Sequence, residues 1–279
     1  MKIPKHNELN SNNYTDFNAQ IINEWIDEEQ YWGPVTSHEE YVRAKNGDWE
    51  IGLAFDITPK EWFLPYIDLE NNKLDGTKLL GLASGGGQQM PILVASGADC
   101  TIMDYSDSQL ACEKLVAKRE GYKINIVKAD MTKRFPFEDN SFDIIVNVVS
   151  NHFVEDVYHV WNECYRVLKP GGILLAGMVN GICYVFADDY DDDDENATLA
   201  AVNKLPYNPL KSTKLYDKLM ALDDGYNLEF SHTMEELLGG QLKAGLNLTN
   251  ITEARDASCL ISKYFPEYLS TRALKPNST

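Results

Sequence analysis

The chain has 279 residues, 44% of them hydrophobic, enough to bury one large core with or without a smaller appendage. Its 25 Lys plus Arg stand against 43 Asp plus Glu, a net charge of -18, so a phosphate backbone would meet a repulsive field and no nucleic acid is expected as partner. The five cysteines (Cys100, Cys112, Cys164, Cys183, Cys259) form no CxxC pair and no His/Cys cluster at zinc spacing, which reads as reduced thiols of a cytoplasmic protein without a bound metal.

The N-terminal stretch MKIPKHNELNSNNYTD has no apolar segment behind its lysines, and no run approaches the ~18 apolar residues of a membrane span. Neither a signal peptide nor a membrane contact is expected. Residues 1–76 are polar, hold four of the five tryptophans and lack strand alternation, which predicts a helical cap on a main domain spanning 77–279. As a lid, this cap would set Tyr14, Trp32, Tyr41 and Trp49 as an aromatic wall over a pocket; alternatively the rings pack the cap against the domain.

From Lys78 the chain alternates short apolar runs with helical patterns, the signature of βαβ units and a parallel sheet. LLGLAS (79–84) is the first strand, followed by Gly85-Gly86-Gly87 and a helix that stops at Gly97; Pro91 falls in its first turn, where a missing N–H costs little. CTIMDYS is the second strand, and Ser106-x-x-Gln109 offers a capping box for a helix closing near Gly121. INIVKAD (124–130) and FDIIVNVV (142–149) follow, the latter apolar almost throughout, as a central strand covered on both faces must be. Val157, Val160, Trp161, Cys164, Val167 and Leu168 recur at helical spacing, Pro170-Gly171-Gly172 ends that helix, and ILLAGMV (173–179) is the fifth strand. The run at 188–196, DDYDDDDEN, reads as a solvated loop that lacks the glycine and ligand spacing of a calcium-binding loop. A helix around Leu215 and Leu219, a second capping box at Thr233-x-x-Glu236, and strand-like NLTNITEA (247–254) and YLSTRALKP (268–276) complete the chain.

A strand, a glycine-rich turn and a helix form a nucleotide site, because glycines admit a ligand close to the backbone. Ala83-Ser84-Gly85-Gly86-Gly87 is that turn, although such turns also serve as plain connections. Asp104, 17 residues beyond Gly87 at the end of the second strand, can accept from both hydroxyls of a ribose; otherwise it is an N-terminal helix charge. Asp130-Met131, at the end of the third strand, can offer a carboxylate and an apolar contact to an adenine, or form an ordinary turn.

LLGLASGGG, TIMDYS, KADMTKRFPFEDNSFDIIV and YRVLKPGGILLAG, in this order, resemble the motif series of class I S-adenosylmethionine-dependent methyltransferases, particularly the small-molecule group with a type 11 methyltransferase domain. The resemblance covers residues 77–180 closely and reaches the C-terminus more loosely. It implies an α/β, Rossmann-like, seven-stranded, mostly parallel sheet with the last strand antiparallel, and S-adenosylmethionine as cofactor. By that likeness Ala83, Ser84, Gly85 and Gly87 line the methionine part, Asp104 holds the ribose, Tyr105 lies against the adenine, Asp130 and Met131 meet the adenine edge, and Asn147 and Val148 lie near the sulfonium. Two departures stand out: Gly81 replaces the family's usual acidic residue, and Ala83 its usual glycine. Ala83 is tolerable where φ stays negative, and Gln88 or Gln89 could supply polar contacts in place of the missing carboxylate.

His152, in SNHFVED, is the candidate catalytic group, at a place where the family often carries a histidine; a structural role is the alternative. Methyl transfer from a sulfonium can rely on alignment at ~3 to 3.5 Å and exclusion of water, so a general base is not required. The fourth strand ends in Asn147-Val148-Val149-Ser150, not in the Asn-Pro-Pro-Tyr type of sequence used on nucleic-acid or protein nitrogens, and the thiols of an arsenic methyltransferase are not recognisable. A small-molecule acceptor is therefore expected. The competing readings are a non-catalytic S-adenosylmethionine-binding regulatory protein and a nicotinamide-dependent oxidoreductase.

Overall fold

The computed structural model describes residues 3–28, 33–186, 198–221 and 227–277. In chain order the regular elements are α1 (Tyr14–Asp27), α2 (His38–Lys45), β1 (Lys78–Leu82), α3 (Gln89–Ala95), β2 (Asp99–Asp104), α4 (Asp107–Glu120), β3 (Asn125–Lys128), β4 (Phe142–Asn147), α5 (Val157–Val167), β5 (Leu168–Val179), α6 (Thr213–Met220), α7 (Gly240–Lys243), β6 (Asn247–Ala254) and β7 (Tyr268–Leu274). A π-helical turn, Glu235–Gly239, leads into α7.

The strands form one sheet in the order β3-β2-β1-β4-β5-β7-β6. β1 to β5 pair in parallel, and β7 runs antiparallel to both β5 and β6, as expected for the fold. The order reverses at β1 and β4, so their carboxyl ends diverge into a crevice, the place where open α/β sheets bind ligands.

Side chains alternate across the strands and divide the core in two. Leu79, Ile144, Val146, Ile173 and Leu175 pack on one face with α2, α3 and residues 49–74. Leu80, Leu82, Ile145, Leu174 and Ala176 pack on the other, against the stripe of α5 formed by Val157, Val160, Trp161, Cys164 and Val167. A third, smaller cluster joins Tyr14, Phe17 and Ile21 of α1 to Tyr216 and Leu219 of α6 and to Leu228 and Phe230.

The first 76 residues therefore divide between two places. α1 belongs to the small cluster over the crevice, while Tyr41 and Trp49 are core residues of the main sheet. Tyr41 stacks on Tyr122 at 5.5 Å, and Trp49 meets Phe63 edge-on at 5.5 Å beneath the Lys60 ammonium. Tyr14 meets Phe230 edge-on and accepts a hydrogen bond from the Glu155 N–H. The expected aromatic wall is thus corrected: these three rings fill apolar clusters, which their large surfaces favour. Trp32 and the acidic run at 188–196 lie outside the described residues. Among the described residues no helix is long and apolar enough to cross a membrane.

Candidate active site

Beyond β1 the chain turns at Ala83, whose N–H donates to the Met103 carbonyl at 2.7 Å. Its φ is +47°, so the expected negative angle is not what this turn uses. The left-handed region costs an alanine about 1 kcal/mol. Gly86 and Gly87 follow with φ of +90° and +71°, and a Cβ on Gly85 would stand 3.0 Å from the Asp104 carboxylate.

Three N–H groups of the turn are already consumed inside the protein. Gly85 donates to Asp104 Oδ2 at 2.9 Å, Gly86 to the Gln109 carbonyl at 2.9 Å, and Gly87 to Glu113 Oε1 at 2.8 Å. A pyrophosphate needs such donors free, so the turn does not suit a dinucleotide. It presents backbone without those donors, a surface compatible with a cationic group.

Asp104 also accepts from the Ser106 N–H at 3.0 Å. Burial raises its carboxyl above the usual range, and the backbone donors Ser106, Gly85 and Tyr105 oppose that rise. The Asp130 carboxylate accepts from the Thr132 N–H at 2.8 Å and from the Thr15 hydroxyl of α1 at 2.9 Å. Tyr105 donates to Asp16, also on α1, at 2.5 Å, and that bond holds its phenol up at about 12.

These groups line a cavity of about 720 Å³ at the carboxyl ends of the central strands. Ala83, Ser84, Gly85, Gln88, Asp104, Tyr105, Asp130, Met131, Val148 and His152 all contribute to its wall, whereas Gly87 and Asn147 do not. Gly87 lies beneath Val35, with its carbonyl accepting from the Thr36 N–H. Asn147 is fully buried behind the wall, donating to the Leu82 carbonyl and to Ser150 Oγ, both at 2.9 Å, so it braces the ends of β1 and β4.

Gly81 shows why the usual acidic residue is missing. A Cβ there would stand 2.4 Å from Met90 Sδ and 2.7 Å from Ser84 Oγ, and the Ser84 hydroxyl is buried with no hydrogen-bond partner. Met90 fills the space a carboxylate would need.

His152 follows β4 on a 3-10 turn, Asn151–Phe153, with its ring centroid 3.9 Å from that of Phe153. Burial, with a smaller contribution from His232, holds the imidazole down at about 3, so it is neutral at physiological pH and a weak proton acceptor. Its Nε2 lies 3.9 Å from Glu229 Oε1, and Glu229 accepts a hydrogen bond from the Tyr184 hydroxyl at 2.7 Å.

Sequence reasoning missed the part of the wall given by Thr15, Asn18 and Ile22 of α1, by Phe55, and by Tyr184 and Glu229. Their separation along the chain hides them. Glu113 did carry a signal, a carboxylate within the buried Leu110, Val116, Ala117 stripe of α4. Asp104, Asp130 and Glu229 line the cavity, and no Lys or Arg does among the described residues, a field that suits a cationic ligand. With the unpartnered Ser84 hydroxyl on the same wall, the residues present fit a sulfonium nucleoside.

A family model for a methyltransferase domain matches residues 80–176. The chain is 34% identical to an uncharacterized methyltransferase, YbaJ, of Bacillus subtilis over 259 residues, 92% of this chain and 97% of that one. It is 30% identical to a sterol 24-C-methyltransferase of Pneumocystis carinii over 46% of this chain, a match that spans 33% of that relative's length. Among solved structures, an S-adenosylmethionine-dependent methyltransferase from Mesorhizobium loti shares the fold, with a TM-score of 0.56 at 18% identity over 77% of this chain and 98% of that one.

Proposed function

Because the chain belongs to the S-adenosylmethionine-dependent methyltransferases, with S-adenosylmethionine as its cofactor, we propose that it methylates a small organic molecule bound in the same cavity. The observation that carries this reading is the cavity itself: about 720 Å³, with the cofactor residues on one wall and Phe55, Phe153, Ile261 and Tyr268 on another. That size lies within the range of small-molecule sites and leaves an apolar compartment beyond the cofactor wall. A sterol 24-C-methyltransferase and a ubiquinone biosynthesis O-methyltransferase are among its relatives, which supports a small-molecule acceptor here.

Bound S-adenosylmethionine supplies a methyl group on an already activated leaving group. The protein's task is then to hold and to dry. Asp104 would receive the ribose hydroxyls, Asp130 and Met131 would hold the adenine, and the turn at Ala83 to Gly85 would hold the methionine part. Val148 and Val149 at the end of β4 keep the transfer region apolar, and α1 covers it, so alignment and water exclusion supply most of the rate. His152, held neutral, is not needed as a base.

Labelled cofactor, incubated with the protein and a metabolite extract, should transfer its label to the small-molecule fraction and not to nucleic acid or protein; label confined to macromolecules defeats the reading. Calorimetry with S-adenosylhomocysteine checks the site. Asp104→Ala should raise the Kd roughly ten-fold or more, the loss of one or two charge-assisted bonds, while Lys118→Ala on the exposed face of α4 leaves it unchanged.

A further inference from the structure

The turn at residues 52–57 belongs to the segment that precedes the sheet, yet it reaches the cavity. Gly52 and Ile57 close it with an antiparallel bridge, and the Thr58 N–H donates to the Ile51 carbonyl at 2.8 Å. Leu53 is buried in the main core, and its carbonyl accepts from the Val149 N–H, just beyond β4, at 3.2 Å. The same carbonyl lies so close to Gly177 of β5 that a Cβ there would collide with it. The turn is thus seated on the carboxyl ends of β4 and β5. Held by its backbone and by a buried side chain, it presents Phe55 from a fixed place.

Of the described residues that line the cavity, Phe55 alone is exposed, at 55%, so it stands at an opening. A single apolar side chain in water is ordinary on a protein surface. Its place sets this one apart. The Phe55 ring lies 4.6 Å, centroid to centroid, from that of Tyr268, which also lines the cavity, with the two planes inclined at 37°. Tyr268 begins β7 opposite Val179 of β5, another residue of the same wall. The sheet therefore backs Phe55 through Tyr268, and the rest of the Phe55 ring is left to water or to an occupant of the cavity. Phe153 adds a third ring to this apolar wall. No Lys or Arg lines the cavity among the described residues, so no cationic side chain is there to receive an anion.

Aromatic rings pair offset or edge-on, and the pairing favours an aromatic partner over a saturated one of equal size by roughly two- to ten-fold. We infer that the methyl acceptor is an uncharged molecule with a flat aromatic ring, and that Phe55, backed by Tyr268, determines this specificity by packing on that ring at the cavity opening. This rests on the small-molecule reading of the cavity and gives its acceptor a shape. Occupation also covers Phe55, so the acceptor and the ring together keep water from the transfer region, which transfer from a sulfonium requires.

The test uses the full chain saturated with S-adenosylhomocysteine and two probes of similar size, flat 2-naphthol and puckered cis-decahydro-2-naphthol, with binding read by calorimetry. In the wild type 2-naphthol should bind at least three-fold more tightly. Phe55→Leu keeps an apolar side chain and removes the flat face, so the ratio of the two affinities should fall to about one or below, and Phe55→Tyr should restore it. Because Phe55 is exposed, both variants should unfold at the wild-type temperature and bind S-adenosylhomocysteine with unchanged affinity. A merely structural role would move those two readouts and not the ratio. A wild-type ratio of one or less, binding of neither probe, or a ratio that survives Phe55→Leu overturns the inference. Retained binding of S-adenosylhomocysteine together with label in the small-molecule fraction would show that only this inference, and not the proposed function, had failed.

Discussion

Glu113 is fully buried beneath the glycine turn, with one oxygen accepting the Gly87 N–H and the other unpartnered. Burial pushes its carboxyl up to about 8, against the Gly87 hydrogen bond and with a smaller push from Asp104. A folded-state value above the ordinary 4.5 means that the folded protein keeps a proton the unfolded chain releases. Its stabilising contribution is full below pH 4.5 and is lost as pH rises through about 8. Urea titrations should therefore show wild type losing on the order of 2–4 kcal/mol between pH 5 and pH 8, with Glu113→Gln much flatter across that window. Parallel profiles for the two proteins would remove Glu113 from the account. At this scale the sequence was most readable where a chemical type stood at a strand end, as with Asp104 and Asp130. It was least readable at Asn147 and Gly87, whose positions in the motif place them at the site but whose side-chain and backbone bonds turn away from it.

The elements were legible wherever local rules sufficed. Ser106 accepts the Gln109 N–H at the start of α4, and Gly121 ends the helix with φ of +75°. Thr233 and Glu236 exchange both bonds of their capping box, although the turn they open is π-helical. The reason lies in packing, which no local pattern encodes. α7 crosses α5 so closely that a Cβ on Gly240 would stand 2.6 Å from Trp161 Cδ1, while the Trp161 indole donates to the Glu236 carbonyl at 3.0 Å. Trp161 is fully buried and cannot yield without disturbing the core. Gly240→Ala should cost about 1–3 kcal/mol in urea unfolding despite the better helix propensity of alanine. A gain in stability would mean that α7 can move outward freely. The pairing of α1 with α6 was invisible for a related reason: roughly two hundred residues separate Tyr14 from Tyr216, and each helix alone shows only an apolar stripe.

For the whole molecule, the question is how a cofactor enters a cavity that α1 covers. Thr15, Asn18, Ala19 and Ile22 form part of its wall, and the helix is tied to the loops that carry the candidate cofactor residues. The Thr15 hydroxyl donates to Asp130 at 2.9 Å, Tyr105 donates to Asp16 at 2.5 Å, Ser106 Oγ donates to Asn23 at 2.7 Å, and Ser108 Oγ donates to Asp27 at 3.0 Å. Each tie joins a polar pair at least partly open to water, where an exchange for solvent costs only about 1 kcal/mol. The apolar contacts of Tyr14, Phe17 and Ile21 hold the other side of the helix to the small cluster. A helix fixed by a few modest polar bonds on one side and a small apolar cluster on the other is drawn from the less stable end of the fold, as covering elements are. We propose that α1 is the lid. Saturating S-adenosylhomocysteine should then slow amide exchange across residues 14–27 and change the fluorescence of Trp25, which lies partly buried beside the cluster. Thr15→Val and Asn23→Ala should raise the cofactor release rate several-fold and leave the circular dichroism of the sheet unaltered. Truncation before Ser37 is the severest form of the test, because Tyr41 and Trp49 must stay to fill the main core. Unchanged exchange in α1 at saturating ligand, together with wild-type release rates in both variants, would make the helix a fixed wall and require a different entrance.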